Sequence, residues 1–166
     1  MTRDSIEQIA RALNEAGVPY LIVGGLAVIV HGYGRHTRDV DIVVRLRPDA
    51  IKGAFSALAG LGYRPLVPVT ADQFADSAQR ERWVAEKGMM VLNLQSDRYP
   101  RTPIDLFVKE PFDFQAEYDS AYVEEIAPGV PLRVLRVEAL IRLKEQARRP
   151  QDLADIAELR KLHGGA

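Results

Sequence analysis

The sequence predicts an α+β, or mixed α/β, fold in which a mixed sheet is flanked by helices and the last helices follow the sheet. Short apolar segments that alternate every second residue indicate strands, and segments with apolar residues every three to four positions indicate helices. Of the 166 residues, 47% are hydrophobic and 27% are charged, which is ordinary for a soluble globular protein. We therefore expect one domain over residues 1–166, with a core in 1–135 and a helical part in 136–163.

Composition excludes several kinds of site. The chain contains no cysteine and only three histidines. Disulfides and thiolate metal sites are therefore excluded, and a zinc site built from imidazoles is disfavoured. The formal net charge of −1 argues against a protein that coats nucleic acid through a global basic excess. The longest apolar run, residues 21–30, is too short to span a bilayer. We expect no membrane partner and a cytoplasmic location.

Helices are predicted where apolar residues recur at helical spacing between capping or breaking residues. These segments are 4–16, 26–33, 48–59, 137–148 and 151–162. The first is predicted to begin with a cap formed by Asp4 and Glu7, and the third carries Pro48 in its first turn. Residues 70–82 are polar and charged, which indicates a surface helix or an ordered loop.

Strands are predicted where apolar residues alternate or form short continuous runs. These segments are 20–23, 39–44, 63–67, 89–94, 103–108, 121–126 and 130–135. The last two flank an Ala-Pro-Gly turn and predict a hairpin. Residues 110–119 are predicted to be an acidic, aromatic connection between elements.

Residues 20–44 contain a glycine pair and an acid pair. Asp39 and Asp41 are predicted to share a strand, which places both carboxylates on one face, ~6–7 Å apart. Such a pair suits one divalent cation or a two-metal site. Gly24 and Gly25 lie between a strand and a helix, where the backbone can approach a phosphate closely. Together the pairs indicate metal-assisted phosphoryl chemistry, although a half-exposed strand edge gives the same Asp/Val alternation.

These residues resemble a known signature. Gly24-Gly25, thirteen residues and then Asp39-Val40-Asp41 are similar to the first motif of the polymerase-beta-like nucleotidyltransferase superfamily. Within that superfamily the motif most resembles that of the AbiEii-like and minimal (MNT-like) branch, in which GG-x-A is followed by R-x-T-x-D-[VIL]-D. The matching letters beyond the two pairs are Ala27, Arg35 and Thr37.

The resemblance implies a nucleotidyltransferase-type fold with a third carboxylate on a strand beside the acid pair. Asp105 matches it, because it alternates with aliphatic residues in the predicted strand 103–108; the alternative is an acid that faces the surface. The catalytic residues and metal ligands are then Asp39, Asp41 and Asp105. Three converging carboxylates repel one another without a cation, so we expect Mg²⁺ in two positions, with Mn²⁺ as an alternative ion.

The predicted nucleotide-binding residues are Gly24, Gly25, Arg35, Thr37, Arg38 and Lys144. The guanidinium groups of Arg35 and Arg38 are expected to reach the triphosphate, or else to neutralise the nearby acids or remain solvated. Lys144 is included through the resemblance, because a Lys followed by R-x-x-D-x-x-D is a late AbiEii-like motif. In this sequence Arg149, Asp152 and Asp155 follow, with Asp152 orienting Lys or Arg side chains; the alternative is a solvated charged helix.

The function that the resemblance implies is transfer of a nucleoside monophosphate from an NTP to an acceptor hydroxyl. The acceptor is left open among RNA, including tRNA, a protein and a small molecule such as an antibiotic. A toxin–antitoxin role with a cognate partner protein is also open. Two alternatives are a catalytically silent nucleotide- or partner-binding module of the same fold and an interaction domain with ordinary surface acids. The silent module is considered because Gly25 stands where many active enzymes have Ser.

Overall fold

The computed structural model describes residues 1–164, and these residues form one mixed seven-stranded sheet with eight helices. The strands are β1 (Tyr20–Val23), β2 (Val40–Val44), β3 (Tyr63–Pro65), β4 (Val91–Ser96), β5 (Ile104–Phe107), β6 (Tyr122–Ala127) and β7 (Val130–Val134). The helices are α1 (Arg3–Glu15), α2 (Gly24–Val30), α3 (Pro48–Gly60), α4 (Ala71–Ala75), α5 (Ser77–Lys87), α6 (Phe114–Asp119), α7 (Val137–Ala147) and α8 (Pro150–Leu162). The predicted fold class is confirmed. Within the described residues, no helix combines the length and apolar character needed to cross a bilayer.

The strand order is β3-β4-β5-β2-β1-β7-β6, so β2 lies at the centre of the sheet. It pairs antiparallel with β1 and parallel with β5. All four residues of β1 and four of the five in β2 are buried, as expected for strands covered on both faces. The exception in β2 is Asp41. The hydrophobic core therefore holds the strand that carries a candidate site residue.

The register of the central strands places polar residues in one row. Asp41 in β2 lies opposite Val23 in β1 on one side and opposite Asp105 in β5 on the other. Asp105 in turn lies opposite Asn93 in β4. Directly opposed residues in neighbouring strands project from the same face of a sheet. Asn93, Asp105 and Asp41 consequently lie side by side across three adjacent strands.

Residues 20–44 differ from their prediction at both the acid pair and the glycine pair. β2 begins at Val40, whose N–H donates to the carbonyl of Pro103 at 3.0 Å, so Asp39 lies in a bend immediately before the strand. The predicted glycine turn is absent as a separate element, because Gly24 is already the first residue of α2 and has φ of +63°. Asp39 is thus positioned by the loop after α2 and not by strand alternation.

The prediction that Asp4 and Glu7 cap the first helix is wrong. The cap is Thr2, whose side chain accepts a hydrogen bond from the N–H of Ser5 while the Ser5 hydroxyl accepts one from the N–H of Thr2. Thr2 has extended backbone geometry, so α1 begins at Arg3. Both hydroxyls close the helix end in the way that a Ser/Thr capping box does.

Residues 110–119, predicted as a connection between elements, contain α6. Residues 70–82, predicted as a surface helix or an ordered loop, include α4 and the first part of α5, and the carboxylate of Asp76 between them caps α5. Pro150 occupies the first turn of α8, so the break between α7 and α8 does not lie at this proline. The break lies at Arg148, which has φ of +53°, the only positive φ of a non-glycine residue among residues 1–164.

We predict that Arg148→Gly raises the free energy of unfolding by about 1 kcal/mol, because a side chain in the left-handed region costs ~1–2 kcal/mol relative to the right-handed one. Chemical denaturation of the wild type and the variant measures this difference. Arg148→Ala is the matched control, since it removes the charge and keeps the Cβ atom. An equal gain from both substitutions would show that charge, and not backbone strain, is responsible.

Candidate functional site

The site begins with the two carboxylates that the sheet register aligns. Asp41 and Asp105 are direct neighbours on β2 and β5. The pKa of Asp41 is raised from 3.8 to about 7. Burial is the largest cause, and the charges of Asp39 and Asp105 contribute to the same rise. Burial also raises the pKa of Asp105, and Asp39 adds to that rise. Asp39, Asp41 and Asp105 therefore lie close enough to repel one another.

The backbone of Gly24 lies directly against Asp41. A Cβ atom at position 24 would lie only 1.9 Å from Oδ2 of Asp41, and φ at this residue is +63°. Any other residue would therefore have to displace the carboxylate and would also be strained in this backbone conformation. Glycine at position 24 lets the end of β1 and the acid of β2 approach closely.

The second glycine makes room for side chains from the loop after α2. A Cβ atom at position 25 would lie 2.4 Å from Oγ1 of Thr37 and 2.8 Å from Nη2 of Arg35. A serine at position 25 would therefore displace Thr37. Position 25 therefore carries no hydroxyl of its own, and the Thr37 hydroxyl occupies the adjoining space.

A buried ion cluster, formed by Arg35, Lys144, Asp152 and Asp155, ties this loop to the last two helices. Nζ of Lys144 lies 2.7 Å from Oδ2 of Asp155 and 3.3 Å from Oδ1 of Asp152. Nε of Arg35 lies 2.8 Å from Oδ1 of Asp155. The carboxylate of Asp155 has no solvent exposure, so both cations compensate its buried charge.

The other arginines near the acids are more exposed. Arg38 is exposed and makes no hydrogen bond or salt bridge with any residue that the structure describes. Arg149 donates to Asp152, yet its side chain remains 75% exposed and its charge lowers the pKa of Asp41. Burial opposes ionisation of Asp152, but the hydrogen bonds from Arg149 keep the pKa of that carboxyl below its ordinary value.

The predicted nucleotide-binding residues thus fall into two groups. Gly24 lies against Asp41, Gly25 lies against Thr37 of the loop that leads to β2, and Arg38 is exposed in the same loop. Arg35 and Lys144 instead direct their cations to buried carboxylates. Phosphate contact by these two residues stays a prediction, and in this structure their charges serve the ion cluster.

Two residues of the site were missed in the sequence. Asn93 donates Nδ2–H to Oδ1 of Asp105 at 2.7 Å. Arg149 belongs to the late motif, but the sequence does not predict that its charge acts on Asp41. The signal for Asn93 was present, because it is a polar residue between Leu92 and Leu94 in a predicted strand, but its partner strand could not be read from the chain.

The donor atoms at the site suit a hard cation. Among residues 1–164, no three or more His, Cys, Asp or Glu side chains are arranged closely enough to hold a metal ion as a preformed cage. The charge of Asp39 nevertheless raises the pKa of both Asp41 and Asp105, and Oδ1 of Asn93 beside Asp105 is buried without a hydrogen-bond partner among the described residues. Carboxylate and carbonyl oxygens are the ligands that Mg²⁺ and Ca²⁺ take. Asp39, Asp41 and Asp105 therefore fit Mg²⁺ chemically.

We predict that Asp41→Asn stabilises the metal-free protein, and more so at pH 8 than at pH 5. The folded state raises the pKa of Asp41, so this carboxyl favours folding only while protonated, and its contribution is lost as pH rises through about 7. Removing the charge should add roughly 1–4 kcal/mol at pH 8, since each pKa unit corresponds to 1.36 kcal/mol.

Urea unfolding in EDTA at both pH values measures the effect of Asp41→Asn. Asp97→Asn is the control, because the side chain of Asp97 is 86% exposed. A gain that is equal at the two pH values would contradict the assignment of buried charge to Asp41.

We predict that Lys144→Met lowers the free energy of unfolding by about 3–5 kcal/mol, because it removes the buried cation that Asp152 and Asp155 share. Lys161→Met is the matched control, since the side chain of Lys161 is 77% exposed and its pair with Glu158 is 3.9 Å long. Thermal and chemical denaturation measure both variants. Equal, small effects would mean that the ion cluster does not hold α7 and α8 together.

Comparison with known proteins identifies the fold. LnuA, a lincosamide antibiotic adenylyltransferase in a lincomycin-bound structure, matches with a TM-score of 0.65 at 15% identity over 98% of each chain. ANT(2")-Ia in complex with adenylyl-2"-tobramycin matches with a TM-score of 0.60 at 15% identity, covering 98% of this chain and 89% of that chain. An antigenic nucleotidyltransferase-like protein from Paracoccidioides brasiliensis matches with a TM-score of 0.58 at 18% identity, covering 96% and 75%.

No protein-family model matches the sequence, and no curated protein sequence matches it. At the low identities of the three structures, the likeness establishes shape and topology. The seven-stranded mixed sheet with its surrounding helices is therefore the fold of nucleotidyltransferases.

Proposed function

We propose that this protein is a magnesium-dependent nucleotidyltransferase that moves a nucleoside monophosphate from an NTP to an acceptor hydroxyl. The observation that carries the proposal is the alignment of Asp41 and Asp105 on adjacent central strands, with Asp39 beside them and the backbone of Gly24 against Asp41. Acids on an ordinary surface would be solvated and separated, whereas these are half-buried, and Asp39 raises the pKa of both Asp41 and Asp105. The alternative of surface acids in an interaction domain is correspondingly disfavoured.

Each acid has a proposed role. Asp39 and Asp41 hold the first Mg²⁺, and Asp105 with its neighbours holds the second. When bound, Mg²⁺ neutralises the triphosphate and polarises the α-phosphorus. Asp105 assists removal of the proton from the acceptor hydroxyl, directly or through the ion that it helps to hold. The bond between the α-phosphorus and the bridging oxygen to pyrophosphate breaks as the bond to the acceptor oxygen forms.

The phosphates are proposed to lie against the glycine pair. Gly24 leaves space next to Asp41, and the Thr37 hydroxyl lies where a side chain at position 25 would be. Arg38 and Arg149 are the exposed cations that can meet the phosphate oxygens. Through Asp155, the buried ion cluster fixes the loop that contains Thr37 and Arg38. In this proposal Arg35 and Lys144 act mainly by holding that loop.

A small molecule is the acceptor that we favour. Two of the similar solved structures contain an antibiotic or its adenylylated product, namely lincomycin and adenylyl-2"-tobramycin. RNA and protein acceptors remain alternatives, as do the AbiEii-like branch and a toxin–antitoxin partner, which no comparison supports. The cytoplasmic location also stays a prediction.

We predict that the protein, with Mg²⁺ and α-labelled ATP, transfers label to a hydroxyl-bearing aminoglycoside or lincosamide. The assay includes total RNA and a neighbouring-gene protein as parallel acceptors and the other three NTPs as donors. Asp39→Asn combined with Asp41→Asn should reduce transfer about 10³-fold or more, because the cation sites supply several kcal/mol of transition-state stabilisation. Asp97→Asn, at an acid whose side chain is 86% exposed, should behave as the wild type.

Two results would contradict the catalytic proposal. The first is transfer that survives loss of both acids. The second is magnesium-dependent NTP binding without label transfer to any acceptor, which supports the catalytically silent module instead.

A further inference from the structure

Asn93 belongs to the row of aligned polar side chains but has no place in the proposed chemistry so far. It lies opposite Asp105 across β4 and β5, just as Asp105 lies opposite Asp41 across β5 and β2. On β4, Leu92 and Leu94 are buried on the face opposite to Asn93. The amide is therefore directed to the acid-bearing face by the alternation of the strand.

The nitrogen of the Asn93 amide already has a partner. Nδ2 donates to Oδ1 of Asp105 at 2.7 Å, which fixes one of the two carboxylate oxygens. This bond favours the ionised form of Asp105 and opposes the effect of burial on its pKa. The same carboxyl also lies within side-chain hydrogen-bonding range of Asp39.

The oxygen of the same amide has no partner. Oδ1 of Asn93 is buried and accepts no hydrogen bond from any residue that the structure describes. Buried carbonyl oxygens are almost always hydrogen-bonded. An unpaired one beside the acid site therefore needs a hydrogen-bond donor or a cation as its partner. Because Oδ1 and Nδ2 share one carbon atom, this oxygen lies within a few ångströms of the Asp105 carboxylate.

We propose that Asn93 is a positioning residue of the cation site: Nδ2 holds the Asp105 carboxylate in place, and Oδ1 offers a neutral oxygen to the bound ion or to a water in its shell. This inference rests on the proposed function. Outer partners of metal ligands orient those ligands, and their loss typically weakens metal binding or activity 10–100-fold. The role is distinct from catalysis, because Asn93 neither carries a charge nor transfers a proton.

Asn93→Leu tests the proposal, because it removes both polar atoms while retaining a size and shape suited to a strand. Titration with Mn²⁺, followed by electron paramagnetic resonance, measures cation affinity without turnover. We expect about 10-fold weaker Mn²⁺ binding. We also expect about 10–100-fold lower kcat and a higher Mg²⁺ requirement, with little change in the KM for the acceptor.

Gln95→Leu is the matched control. Gln95 lies two residues further along β4, on the same face, and it is exposed opposite Arg64 of β3. Thermal denaturation first establishes that each variant is folded, and Asn93→Ala replaces Asn93→Leu if the latter is not. Mn²⁺ affinity and kcat in a folded Asn93 variant that equal those of Gln95→Leu would overturn the proposal.

The failure of this inference differs from the failure of the proposed function. If the wild type binds Mn²⁺ and transfers nucleotide while the Asn93 variants do so equally well, only the role of Asn93 is lost. If the wild type binds no Mn²⁺ and transfers nothing, the proposed function itself fails, and the inference about Asn93 fails with it.

Discussion

The parallel pairing of β2 with β5 is the constraint on which the candidate site depends. It sets Asp41 directly opposite Asp105 in the middle of the sheet, where all residues of β1 and the other four of β2 are buried. A shift of one residue in this register would turn one carboxylate to the opposite face and separate the pair. The buried aliphatic residues of both strands fix the register, so the hydrophobic core determines the geometry of the charged site.

Holding these acids together destabilises the metal-free protein, and other interactions must offset that cost. The raised pKa of Asp41 shows that burial and neighbouring charge both oppose its ionisation. A cation site built from mutually repelling carboxylates is poised to bind, because the ion relieves the repulsion. The buried ion cluster of Arg35, Lys144, Asp152 and Asp155 holds the loop before β2 in place from the other side. The loop before β2 therefore contributes both to the stability of the fold and to the candidate site.

The sequence predicted what depends on local pattern. Strand alternation predicts that Asp41 and Asp105 lie on strands, and both do. The glycine pair is predicted to lie near the acids, and Gly24 lies against Asp41. The patterns did not reveal pairings between distant segments. The hydrogen bond from Asn93 to Asp105 joins residues on two strands, and the salt bridge from Arg35 to Asp155 spans most of the chain. The sequence pattern around a charged residue does not show whether its side chain faces solvent or a buried partner.

The most direct test of the central claim is a crystal structure with Mn²⁺ and a non-hydrolysable α,β-methylene analogue of ATP, in which anomalous scattering locates the ion. We expect a manganese peak bordered by the carboxylates of Asp39, Asp41 and Asp105, with the triphosphate against Gly24 and Gly25. Manganese and triphosphate bound elsewhere, for example in the cavity of about 490 Å³ beside α5 and the end of β5, would contradict it.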